Sequence, residues 1–179
     1  MTTDDPGGQM LGDAIFLGRS ADALSQLIAK QVEAVFDGAD IRIPVKSCSL
    51  ISTLAALEPA SAADLAKALD QSHQLVLQKI PALLGAGLLD REKDPDDGRR
   101  KVFRLTPEGH RQLERLRWLA PAIEAIYQEL YRELGVDLRA ALDGAAASLR
   151  ERPVADRLEG RSLSGARRSD ASDRGDGRV

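Results

Sequence analysis

The chain predicts a mainly α fold with a small β-hairpin, and three observations predict it. Apolar residues recur at spacings of three and four through most of residues 12–150, the mark of amphipathic helices. Between Leu89 and Leu105 that period gives way toward alternation around Asp94-Pro95-Asp96-Asp97-Gly98, which reads as two strands joined by a turn. Leu and Ala dominate, and aromatic residues make up only 3 % of the chain, as expected of a helix-rich protein. At 179 residues there is room for one core rather than two.

The first helix covers roughly residues 12–36, where Leu24, Leu27, Ile28, Val32, Val35 and Phe36 keep helical register without a proline. Gly38 and Pro44 mark residues 37–44 as a loop. A second helix carries Leu50, Ile51, Leu54 and Leu57 and stops at Glu58-Pro59, because proline disfavours helical geometry in the residue before it. Ser61 with Asp64 is a capping-box start for a short third helix buried through Leu65, Ala66 and Leu69. Asp70-Gln71 forms a turn, and Ser72 caps a fourth helix with Val76, Ile80, Leu83 and Leu84 facing inward. Gly87-Leu88 ends it as a left-handed cap with its hydrophobic contact.

After the hairpin, Thr106-Pro107 supplies an N-cap and a proline at the first helical position. The helix that follows carries Leu113, Leu116, Ala120, Ile123, Tyr127, Leu130 and Leu134 as a seam of the kind that packs against another helix. Pro121 is expected to bend or divide it. Gly135 closes it, and Leu138, Leu142, Ala145 and Leu149 line a last helix to about Arg150. Residues 1–11 and 153–179 read as disordered; from Gly160 on, five Arg and three Asp accompany almost no large apolar residue, too little to offset chain entropy.

A net charge of −3 means that any contact with nucleic acid must come from a local basic patch. A single cysteine, Cys48, rules out an intramolecular disulfide framework and a Cys-rich zinc site, and fits a reducing cytoplasm. Its neighbours Val45, Leu50 and Ile51 mark it as a small buried hydrophobe rather than a redox sensor. The opening MTTDDPGGQM lacks the basic and apolar regions of a signal peptide, and no stretch reaches membrane-spanning length, so a cytoplasmic location is expected. Two histidines, His73 and His110, with no Gly-rich phosphate loop and no HExxH, assemble no catalytic set. The expectation is a non-enzyme with no cofactor and no metal site.

Helix, tight turn, helix and hairpin is the layout of a winged helix-turn-helix over residues 45–106, flanked by a helical dimerisation region at 12–36 and 107–150. In that layout the helix from Ser72 enters the major groove of double-stranded DNA, presenting His73, Gln74, Leu75, Leu77, Gln78 and Lys79. One Lys and no Arg in this segment would equally suit an ordinary polar helix face. The wing shifts the balance, since Gly98 to Arg104 holds four basic residues and no acid. Arg99, Arg100 and Lys101 are the expected backbone and minor-groove contacts, with Asp97 orienting Arg99. A solvated hairpin with surface ion pairs is the alternative for these charges.

The run DPDDGRRKVFRLTPEGH, Asp94 to His110, following LAKALDQSHQLVLQKIPALLGAGLLDR, Leu65 to Arg91, resembles the MarR family of transcriptional regulators over about residues 12–150. The resemblance implies a triangular homodimer with intertwined first and last helices and two winged domains reading a pseudo-palindromic operator. Many members of that family repress neighbouring genes and release DNA when a small, often phenolic, effector binds or a cysteine is oxidised.

Two features depart from the family pattern. Pro81 lies inside the reading helix, where it removes a backbone donor at a cost of roughly 3 kcal/mol unless packing compensates. That helix is also poor in Arg and Lys, so affinity is expected to rest on the wing. Both departures favour the competing reading, a winged helix used for protein contact without DNA; the Arg-rich wing opposes it. An effector pocket, if formed, is expected near Phe36, Ile41, Ile43, Ser47, Ile51 and Trp118, each of which is explained equally well as core packing.

Overall fold

A computed structural model describes residues 14–94 and 98–159. A 3₁₀ turn at Ala14–Phe16 leads into α1 (Leu17–Gly38), and a second at Val45–Ser47 into α2 (Cys48–Leu57). Then come β1 (Ala60–Ser61), α3 (Ala62–Leu69), α4 (His73–Gly85), β2 (Leu89–Lys93), β3 (Lys101–Leu105) and α5 (Pro107–Leu134). The described chain ends with α6 (Leu138–Glu151) and α7 (Val154–Glu159). It divides into two units after Pro121, and α5 runs through the division.

The first unit holds every buried hydrophobic residue among those described. Leu50, Ile51 and Leu54 of α2, Leu65 of α3, and Val76 and Leu83 of α4 have no measurable exposure, so the periodic positions of three short helices converge on one core. Phe36, Ile41, Ile43, Ser47 and Ile51, candidates for a ligand pocket, are all buried in it, whereas Trp118 is 81 % exposed. The predicted hairpin is present as β2 and β3, and β1 joins it in a three-stranded antiparallel sheet in the order β1-β3-β2, with Ala60 opposite Phe103 and Ser61 opposite Val102. Two residues are too few to show a period of their own; β1 exists because β3 offers it an edge.

Ser61 ends β1 and starts α3 together. Its Oγ accepts from the Asp64 amide at 3.2 Å, while Asp64 Oδ2 accepts from the Ser61 amide at 2.9 Å, satisfying two otherwise orphan donors. Asp70 adopts a left-handed φ of 51° to turn the chain toward α4. Thr106 joins the wing to α5: its amide donates to the Leu88 carbonyl at 3.0 Å, its hydroxyl to the Gly87 carbonyl at 2.7 Å. The Gly109 amide donates to that hydroxyl at 2.9 Å. Buried Gln112 then clamps the loop before α2, accepting from the Arg42 amide at 2.7 Å and donating to Glu108 at 3.0 Å.

Hydrogen bonds from Gln112, Arg111 and Arg42 hold the Glu108 carboxyl down at about 2, against an ordinary 4.5. Because that pKa is depressed in the fold, this contribution to stability is present above pH 4.5 and is lost as pH falls toward 2.

The second unit has a different character. Gly135, with a φ of 67°, ends α5, and the Asp137 side chain caps α6 by accepting from the Ala140 amide at 3.0 Å. No described residue from Ala122 onward is buried. Leu134, Leu142 and Leu149 are about half exposed, so the periodic apolar positions of α5 and α6 are left incompletely covered within one chain.

Two expectations are corrected, on residues 37–38 and on the segment after Pro153, and the one on Pro121 is narrowed. Residues 37 and 38 extend α1 instead of opening the loop. Pro121 does not divide α5, and α4 likewise continues through Pro81; both prolines are exposed, so the lost backbone hydrogen bond lies where water can compensate. Order also continues past Pro153 into α7, which Arg157 ties back through hydrogen bonds to the Ser148 carbonyl and hydroxyl at 2.8 and 2.7 Å. The expected disorder of residues 1–11 and 160–179 lies outside the described residues.

Candidate nucleic-acid interface

The helix-turn-helix is set by local chemistry. Ser72 ends the turn in extended geometry and its hydroxyl accepts from the Leu75 amide at 3.2 Å, starting α4. Val76, Ile80 and Leu83 bury one side of the helix, which forces His73, Gln74, Leu75, Leu77 and Gln78 to the solvent side. Lys79 is the exception among the predicted reading residues. It is half-buried, its ammonium donates to Gln71 at 2.9 Å, and desolvation lowers its pKa.

The wing has two unlike faces, because side chains alternate along a strand and directly paired residues share a face. On one face the cross-strand pairs are Leu89 with Leu105, Arg91 with Phe103 and Lys93 with Lys101. This face runs from buried leucines at its base to cations at its tip. The other face pairs Asp90 with Arg104 and Glu92 with Val102, and Arg104 donates to Glu92 at 3.2 Å. Among the described residues, Arg91, Lys93 and Lys101 form no ion pair. An acidic protein thus gathers uncompensated positive charge on one face of a ribbon.

That face and α4 enclose an open groove of about 480 Å³ whose walls include His73, Leu77, Pro81, Arg91, Arg99 and Lys101. Five predicted residues, His73, Leu77, Arg99, Arg100 and Lys101, meet there. Gln74 and Gln78 remain exposed on α4 without lining it, Ser72 is occupied as a cap, and Asp97 lies outside the described residues. Arg91 was missed by the sequence reading. The alternation that places it on one face with Lys93 was visible, but the pairing that brings Phe103 and Lys101 to that face was not.

Arg100 is already engaged. Its guanidinium donates to Ser61 Oγ at 2.8 Å and to Asp64 Oδ2 at 2.5 Å, with Asp94 at 3.7 Å. Hydrogen bonds from Ser61, reinforced by Arg100, lower the Asp64 pKa.

Cys48 lies apart from this groove, with its thiol directed at the Pro44 carbonyl at 3.9 Å. Burial pushes its pKa up to about 11 from an ordinary 9.0. Since the thiolate is the nucleophile, iodoacetamide at pH 7 should alkylate native Cys48 about 100-fold more slowly than the unfolded chain. Equal rates would show an exposed, reactive thiol. Among the described residues there is no cluster of His, Cys, Asp and Glu suited to a metal, and no helix is long and apolar enough to cross a membrane.

Residues 48–109 match a family model described as a winged helix DNA-binding domain. No curated protein matches the chain in sequence. Among solved structures, it is similar to a mutant MarR from E. coli complexed with operator DNA, with a TM-score of 0.60, 20 % identity, and 78 % of this chain and 96 % of that one covered. It is also similar to the transcriptional repressor CouR bound to a 23-mer DNA duplex, with a TM-score of 0.57, 22 % identity, and 78 % and 96 % covered. A probable transcriptional regulator from Pseudomonas aeruginosa gives a TM-score of 0.54 at 25 % identity, with 78 % and 98 % covered. Residues 48–109 are thus a winged helix DNA-binding domain, and the chain that carries it has the fold of the MarR-family transcription regulators.

Proposed function

We propose that this protein is a sequence-specific regulator that binds double-stranded DNA as a homodimer and represses by occluding a promoter. The observation that carries the reading is the groove between α4 and the unpaired cationic face of the wing. A polar helix face beside a strip of cations suits a major groove flanked by phosphates. In this reading Gln74 and Gln78 contact base edges, while Arg91, Lys93, Arg99 and Lys101 contact the backbone. The protein has no catalytic role.

The second unit supports the dimer. Amphipathic helices without a buried residue do not repay the entropy of ordering them, and a second copy supplies the missing surface with two-fold symmetry. Two reading helices then face half-sites about 10 bp apart on a pseudo-palindromic operator. An effector that changed their separation would release the DNA without touching it, because both half-sites must be engaged together.

The test is fluorescence anisotropy of the purified protein with its own upstream intergenic DNA and with a scrambled duplex, at low and physiological salt. Tight binding that is selective and weakens with salt is expected, together with a dimeric mass by light scattering at micromolar concentration. Indifferent binding to both duplexes would favour the protein-contact alternative. A monomeric mass would overturn the two-fold mechanism.

A further inference from the structure

Adjacent residues of one basic run have opposite tasks in the wing. We infer that Arg100 is a positioning residue, a latch that fixes the wing against the helix-turn-helix, rather than a contact to DNA phosphate; this rests on the DNA-binding reading above.

The geometry points one way. Arg100 immediately precedes β3, and one of its nitrogens donates to both members of the α3 capping box, Ser61 Oγ at 2.8 Å and Asp64 Oδ2 at 2.5 Å. Those partners lie 39 and 36 residues earlier in the chain, so this contact joins two elements that sequence does not join. Its backbone carbonyl accepts from the Asp94 amide at 2.9 Å, closing the turn from the other strand. Ser61 is buried and its hydroxyl also serves the α3 N-terminus, so the receiving end of the latch is part of the core. Because α3 leads through the Asp70 turn directly into α4, holding the wing to α3 sets the angle between the wing's cationic face and the reading helix.

A phosphate that captured Arg100 would have to pull it from a carboxylate and a hydroxyl already in place. Both residues line the groove, but Lys101, the next residue, has no such partner among those described. The division of labour is legible in counterion release: a side chain that contacts phosphate contributes about 0.9 to the slope of log affinity against log salt, and one that only positions others contributes nothing to it.

The experiment is a salt titration of DNA affinity for wild type, Arg100→Ala, Lys101→Ala and Asp64→Asn, with thermal melts to establish that each variant is folded. Asn at 64 keeps an acceptor for the Ser61 amide while removing the charge that holds Arg100. Arg100→Ala should lower affinity about tenfold at every salt concentration with the slope unchanged, a cost of lost preorganisation. Lys101→Ala should flatten the slope.

Asp64→Asn provides the decisive sign. It removes a negative charge near the DNA and frees Arg100, so a phosphate-binding Arg100 would make this variant bind more tightly. As a latch partner, its loss weakens binding, and Arg100→Ala/Asp64→Asn should be no weaker than either single variant. A flattened slope for Arg100→Ala, or tighter binding by Asp64→Asn, would overturn the latch while leaving the DNA-binding reading intact. Absence of binding by folded wild type would remove that reading and the latch with it.

Discussion

Gly109→Ala should be the most destabilising single-methyl change in the first unit. A β-carbon on Gly109 would lie 2.1 Å from the Leu88 carbonyl oxygen and 3.1 Å from its carbon. These are backbone atoms at a fully buried residue, and the oxygen is held by the Thr106 amide at 3.0 Å. No rotamer change can relieve the overlap; α5 must move away from the start of β2, breaking the Thr106 cap. Forced overpacking costs about 1–3 kcal/mol, and an overlap with backbone this close belongs at the upper end, above the roughly 1 kcal/mol that alanine gains over glycine inside a helix. A net loss of about 2 kcal/mol lowers the melting temperature of a chain this size by roughly 4–8 °C. Gly85→Ala is the control, since a β-carbon there meets nothing within 4 Å; it should leave the melting temperature unchanged or slightly raised. Equal melting temperatures for wild type and Gly109→Ala would mean that α5 does not pack on Leu88 this closely.

Leu105 to Gly109, part of the run that resembles the MarR family, therefore has a physical content of its own. Thr106 and Pro107 were legible as a helix start because capping acts over three or four residues. Gly109 was not, because the carbonyl it must avoid lies 21 residues upstream. The same division explains the rest of the chain. Ser61, Asp64, Ser72 and Gly87 were readable since each acts on its own neighbours. Arg99 and Arg100 were indistinguishable in the sequence because only the fold brings the α3 cap to Arg100. Lys79 read as a reaching cation, yet its outlet is Gln71 at the turn before its own helix. The missing β1 and α7 are elements of two and six residues, too short for a period, each held by contacts to another segment.

The largest functional effect should come from removing the unpaired face of the wing. Arg91, Lys93 and Lys101 share that face by strand register, and neither a core role nor an ion pair among the described residues accounts for them. Exposed like charges this close repel one another, so their grouping costs stability unless an anion is met there. In the combined variant Arg91→Ala/Lys93→Ala/Lys101→Ala, three lost phosphate contacts should flatten the slope of log affinity against log salt by about 2.7 for each bound subunit. At 0.15 M salt that corresponds to an affinity loss on the order of a hundredfold per subunit, growing as salt is lowered. Folding should be retained, because all three side chains are exposed. Arg104→Ala changes the charge of the same wing by the same amount per residue, but on the opposite face and against Glu92; it should leave the slope nearly unaltered. If Arg104→Ala and the triple variant flatten it in proportion to charge alone, the wing acts only through net charge and its face has no assigned role. If neither does, DNA does not meet the wing, and the exposed helix face of His73, Gln74, Leu77 and Gln78 carries the DNA contact without it.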